Sequence, residues 1–156
     1  MNKIILLAIL LPLAALAVRE PITVKSYAVE IDERSGISTY TGAVKITQGF
    51  LLVKADKIQI FSKDKKLTKM VATGSKDKPA YYQQNQDEQF HLIKATAQSI
   101  TYFIDQQRMH LVGAVNLTQR VDFFSGDSVD YDIKNDKVVI NKSADGSQRV
   151  KFKIKL

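Results

Sequence analysis

Thr41-Gly42-Ala43-Val44-Lys45-Ile46-Thr47-Gln48 and, 71 residues further on, Val112-Gly113-Ala114-Val115-Asn116-Leu117-Thr118-Gln119 are two versions of one pattern. Each has Gly-Ala at its second and third positions and then alternates apolar and polar residues, which reads as a strand with one buried face. The same offset sets Asp56, Ile58 and Ile60 opposite Asp127, Val129 and Tyr131, Val29 opposite Ile100, Ile31 opposite Tyr102, and Leu67 opposite Val138. A third, partial echo at Ala97 to Tyr102 repeats the small-x-x-aliphatic-x-apolar pattern of Ala55 to Ile60 and Gly126 to Tyr131. Two copies of one supersecondary unit are therefore expected to build the domain.

Outward from this repeat the alternation persists. It recurs in Ile22/Val24, Val29/Ile31, Leu51/Val53, Ile58/Ile60, Ile100/Tyr102/Ile104, Val129/Tyr131 and Val150/Phe152/Ile154/Leu156, and no stretch after residue 20 sustains a helical apolar stripe. Turn residues fall between the runs at Arg34-Ser35-Gly36, Gln48-Gly49, Lys63-Asp64-Lys65, Asp105-Gln106-Gln107, Asn135-Asp136 and Asp145-Gly146. The expectation is an all-β, antiparallel meander of roughly ten or eleven short strands, rolled or sandwich-like with open ends. Inward parity slips between Val53 and Ile58 and again between Phe124 and Val129, so a bulge is expected beside Asp56 and Asp127.

Composition sets the outer bounds. The chain has 156 residues, 23 Lys plus Arg against 16 Asp plus Glu, and no Cys. That length suits one packed domain, and the lack of cysteine removes disulfide frameworks, thiolate nucleophiles, Fe–S clusters and cysteine zinc sites. Residues 1–17 read as a signal peptide: Lys3 precedes an apolar run from Ile4 to Leu16, and Ala15-Leu16-Ala17 is a small-x-small cleavage pattern. The run is short for a membrane span, which wants about 20 residues. An uncleaved inner-membrane anchor is the alternative. Residues 18–156 would form the domain.

Pro21-Ile22-Thr23-Val24, Thr39 to Gly49, Lys54-Ala55-Asp56-Lys57-Ile58, Gly74 with Lys78-Pro79-Ala80-Tyr81-Tyr82, and Ala97 to Tyr102 together resemble the OstA/LptA family. These are periplasmic bridge proteins of the Gram-negative lipopolysaccharide (LPS) transport system. The resemblance implies an incomplete, open-ended β-jellyroll whose apolar interior shields the acyl chains of lipid A. It also implies head-to-tail homo-oligomers and two further partners, the inner-membrane transport complex through its anchored OstA-like subunit and the outer-membrane translocon. Family chains are expected to continue past the last strand, whereas this one stops at Leu156.

The residues agree with a carrier of amphiphiles. Exposing an acyl chain costs about 0.8 kcal/mol per CH₂, so a chain of about a dozen carbons needs on the order of 10 kcal/mol of shielding. By parity the candidate groove residues are Ile22, Val24, Val44, Ile46, Leu51, Val53, Tyr82, Ile100, Tyr102, Ile104, Phe124 and Tyr131. Periodicity alone leaves open whether they line a groove or fill an ordinary core. The candidate assembly edges are Ile22 and Val24 at one end and Val150, Phe152 and Ile154 at the other. Arg149, Lys151, Lys153 and Lys155 alternate with that last apolar set, which reads as a lysine-guarded edge strand or as a docking face. The basic balance suits a phosphate-bearing lipid, and equally a nucleic acid or an anionic membrane surface. Nucleic acid is not expected, since the chain carries an export signal and no aromatic-and-basic recognition motif.

No catalytic residue, metal ligand or cofactor is assigned. His91 and His110 have no metal-ligand spacing, the repeat-matched Asp56 and Asp127 suit a bulge better than general acid/base work, and no nucleophile elbow, phosphate loop or dinucleotide fingerprint occurs. The expected function is a non-enzymatic periplasmic LPS-binding bridge. The alternatives are the membrane-anchored adaptor of the same system, a structural scaffold or a small hydrolase.

Overall fold

The computed structural model describes residues 20–85, 92–141 and 149–154. The expected leader at 1–17, His91, Lys155 and Leu156 lie outside the described residues. Twelve strands follow in order: β1 (Thr23–Lys25), β2 (Ala28–Asp32), β3 (Ile37–Gln48), β4 (Leu51–Lys63), β5 (Lys66–Thr73), β6 (Ala80–Asn85), β7 (Leu92–Ala97), β8 (Ser99–Phe103), β9 (Arg108–Gln119), β10 (Asp122–Asp132), β11 (Lys137–Asn141) and β12 (Lys151–Lys153). Every pairing is antiparallel. The expectation of short strands holds only in part, because β3, β4, β9 and β10 are long. Leu51/Val53 and Ile58/Ile60, for example, belong to one strand that a bulge bends rather than ends.

The bulges sit where the parity slips. Between Thr41↔Lys57 and Val44↔Ala55, Gly42 and Ala43 together oppose Asp56; between Val112↔Ser128 and Val115↔Gly126, Gly113 and Ala114 oppose Asp127. The extra residue therefore belongs to β3 and β9, and the aspartates face it. Gly42, Ala43, Gly113 and Ala114 all have positive φ, at 84, 43, 86 and 47°. Glycine is needed at the first position of each pair, for conformation and for space. A Cβ on Gly113 would lie 2.8 Å from the Cβ of Gln98, whereas one on Gly49, also at positive φ, meets only the Glu20 stem at 3.4 Å. Gly113→Val is accordingly expected to lower the urea midpoint by the equivalent of about 1–3 kcal/mol, and by more than Gly49→Val does. Equal losses at the two sites would contradict the close-approach argument.

Each bent strand serves two layers. The 57–63 half of β4 pairs with β5 and its 51–54 half with β6; the 108–112 half of β9 pairs with β8 and its 116–119 half with β7. Likewise β3 divides between β2 and β1, and β10 between β11 and β12. The result is two layers sharing the four long strands. One runs β2-β3-β4-β5-β8-β9-β10-β11 and the other β1-β3-β4-β6-β7-β9-β10-β12. Their inner sides face each other, as the Tyr82 ring on β6 and the Tyr102 ring on β8 show at 6.1 Å between centroids and 58° between planes. This is a jellyroll closed in its middle and open at both ends, and among the described residues it contains no helix.

The repeat extends to every strand. β1–β6 and β7–β12 are two copies with the same internal pairings, joined by β5·β8 and β6·β7. The 71-residue offset holds through β10 and then drifts. Met70, rather than Leu67, answers to Val138, because the β10–β11 hairpin is three residues shorter than β4–β5 (141 − 128 = 13 against 73 − 57 = 16). In the last strand Tyr82, opposite Val53, answers to Phe152, opposite Phe124.

Candidate functional site

The space between the layers is apolar because each strand sends alternate side chains into it. Val44, Ile46, Val53, Tyr82, Ile100 and Tyr131 are fully buried there with Ile58, Ile93, Met109, Leu111, Leu117 and Val129. Val24, Leu51, Tyr102 and Phe124 are half-buried and pack against this cluster. Ile104 is half-buried just past β8, its amide donating to the Thr68 carbonyl at 3.0 Å. Ile22 precedes β1 and is exposed. The sequence-expected positions thus divide into a sealed middle and an accessible margin.

Three tyrosines lie between the layers, Tyr82 and Tyr131 buried and Tyr102 half-buried. Burial pushes the Tyr82 and Tyr102 phenols up from their ordinary range, and burial followed by the charge of Asp136 does the same to Tyr131. They stay neutral, and two of them act as hydrogen-bond donors: Tyr82 donates to Gln84 Oε1, and Tyr131 to Asp136 Oδ1 at 3.3 Å. Gln119, at the tip of one layer, donates to the same Asp136 oxygen on the β10–β11 turn of the other. A polar tie therefore spans the open side in the second copy. In the first copy the matching Gln48 donates instead to the Glu20 carbonyl at 3.0 Å.

Both ends of the jellyroll leave strands paired on one side only among the described residues. At one end these are β1 and β2, at the other β11 and β12. β1 and β12 carry the edges that the sequence indicated. β2 and β11 are a second pair that it did not. Their signal lay in the repeat, which matches Val29 and Ile31 to Ile100 and Tyr102, residues of a strand that is paired on both sides. At the edge Val29 and Ile31 are 54% and 64% exposed, and Phe152 on β12 is 60% exposed.

The other titratable candidates lie outside the space between the layers. His110 Nδ1 is 2.6 Å from Asp130 Oδ1 on the outward face, and Asn141 donates to the other carboxylate oxygen at 2.9 Å. Asp56 is exposed and Asp127 half-buried at their bulges. On the turn after β2, the Ser35 hydroxyl, then the Ser35 and Arg34 amides, hold the Asp32 carboxyl below the usual carboxylate range.

This architecture has relatives. A family model described as LptA/(LptD N-terminal domain) LPS transport protein matches residues 23–152. The lipopolysaccharide export system protein LptH of Pseudomonas aeruginosa is 32% identical over 129 residues, 83% of this chain and 72% of that protein. The lipopolysaccharide export system protein LptA of Haemophilus influenzae is 26% identical over 155 residues, 96% of this chain and 88% of that one. The crystal structure of P. aeruginosa LptH, described as the LptA-homologous periplasmic component of a conserved lipopolysaccharide transport device, superposes with a TM-score of 0.76 at 28% identity, covering 88% of this chain and 96% of that one. With the family model spanning nearly all the described strands, this chain belongs to the LptA/LptD N-terminal-domain family of LPS transport proteins.

Proposed function

We propose that the chain is exported to the periplasm, loses residues 1–17, and there works without catalysis as an LPS-binding bridge between inner- and outer-membrane transport complexes. Lipid A acyl chains would enter along the half-buried margin at Val24, Leu51, Tyr102, Ile104 and Phe124, and the layers would part to bring Val44, Ile46, Val53, Tyr82, Ile100 and Tyr131 into contact with them. A photo-crosslinking residue at Tyr102 is expected to capture LPS in living cells, and one at the exposed Lys65 is not. Capture at neither site would favour a structural scaffold. Mass spectrometry of the exported protein is expected to find Val18 as its first residue; an intact leader would favour the anchored adaptor.

The observation that carries the assembly part is the join inside the molecule. β5 pairs with β8 and β6 with β7, and these are the repeat equivalents of β11 with β2 and of β12 with β1. Translating that join onto two molecules sets Lys137, Val138 and Ile140 opposite Asp32, Ile31 and Val29 of the next copy, and Phe152 and Ile154 opposite its Val24 and Ile22. Lys137 meets Asp32 and the inner apolar side chains meet one another, while on the outer face Lys151 falls opposite Lys25. Such a heterologous contact does not close, so it propagates as a rod. The translocon and the anchored subunit would use the same two ends.

A further inference from the structure

The outward faces of the two layers differ in charge. The layer containing β2, β5, β8 and β11 mixes signs, with Glu30, Asp32, Asp130 and Asp132 beside Lys69, Arg108 and Lys137. The layer containing β1, β6, β7 and β12 presents Lys25, Lys45, Lys54, Lys94, Lys151 and Lys153. Between its bulge line, marked by Asp56, and its hairpin tips, its outward described positions carry no carboxylate. Lys25, Lys45 and Lys54 stand directly opposite one another on three adjacent strands, and none makes an ion pair among the described residues. A ladder of like charges is destabilising on its own and is relieved by an anion laid across it.

A second observation lies at the tips of the same layer. Phe50, on the β3–β4 turn, is 76% exposed, and Val121, on the β9–β10 turn, is 58% exposed. They occupy the same position in the two copies. Arg120 adjoins Val121, while Glu20 and Asp122 are the carboxylates at these tips. Four strand spacings separate the two turns, roughly 19 Å at about 4.8 Å each, and Lys54 lies roughly 13 Å along its strand from Phe50. A protein partner would need two separate pockets to receive such tips, whereas a planar fluid surface accepts both at once.

We infer that this layer docks on the surface of an anionic lipid bilayer, with Phe50 and Val121 entering the boundary between headgroups and acyl chains and the lysines lying over lipid phosphates. The lysines point away from the groove, so this contact is separate from cargo binding and does not depend on head-to-tail assembly.

Co-sedimentation of the full chain with vesicles tests it. Binding to equal parts phosphatidylglycerol and phosphatidylcholine is expected to exceed binding to phosphatidylcholine alone, and the difference is expected to vanish in about 1 M salt. Lys45→Glu/Lys54→Glu should bind the anionic vesicles at least about tenfold more weakly, and Phe50→Ser/Val121→Ser on the order of tenfold more weakly. All variants share residues 1–17, so any binding by that apolar run cancels in the comparison, and circular dichroism checks that each is folded. Equal binding to neutral and anionic vesicles, or unchanged binding by a folded Lys45→Glu/Lys54→Glu protein, overturns the proposal. Failure to bind either vesicle while binding an LPS dispersion also overturns it and assigns the lysines to the cargo's phosphates.

Discussion

A chain carrying Val29→Asp and Ile31→Asp is expected to remain a folded monomer at concentrations where the unaltered protein is expected to form rods, and Phe152→Asp is expected to do the same from the other end. All three side chains are mostly exposed in the isolated molecule, so the substitutions leave its core intact. In the proposed joint each would face an apolar partner, where an unpaired carboxylate costs on the order of 2 kcal/mol or more, about thirtyfold or more in association. The two variants damage opposite edges. Mixed together, they each retain one good edge, and because the contact is heterologous they should form a dimer and nothing larger. Light scattering separates the outcomes. Rods from either variant alone would place the joint elsewhere, and a mixture that stays monomeric would mean that the edges are not complementary to each other.

That joint was only half legible in the sequence. Ile22/Val24 and Val150/Phe152/Ile154 announced themselves as terminal alternating segments. Ala28 to Asp32 read like any other strand, because period-two alternation reports which face is buried and not how many neighbours a strand has. The bulges were legible for the opposite reason. Adding one residue to one strand shifts its parity against its partner, and on that partner, β4, the slip from Val53 to Ile58 records it in burial. Which half of a bent strand joins which layer was not legible, since that depends on hairpin lengths that local patterns do not encode. The same cause hid the three-residue contraction that pairs Met70 with Val138 in the repeat, and the cross-strand meeting of His110 with Asp130. Most of the candidate groove residues lie on the inner face, Ile22 being exposed. Their division into a sealed middle and an accessible margin follows from how close the two layers lie, which no single strand's sequence contains.

Tyr102→Glu is expected to abolish LPS loading, with affinity falling at least about thirtyfold, while Tyr102→Phe should keep loading near that of the unaltered protein. Tyr102 is half-buried on the inner side of β8, with its ring against that of Tyr82, so it lies where the margin meets the sealed middle. Phenylalanine preserves the apolar wall and removes only a hydroxyl. Glutamate places an ionisable group in the path of an acyl chain, where charging it without a partner costs several kcal/mol. Its side chain can still reach solvent in the unloaded protein because the position is half open, so the fold is expected to survive. The fully buried Tyr82 offers no such escape, and a charge there would test stability rather than loading. Co-purified LPS, measured beside a circular dichroism spectrum, gives the result. A folded Tyr102→Glu protein that loads as well as the unaltered one would remove this wall from the lipid path and leave the space between the layers as a core alone.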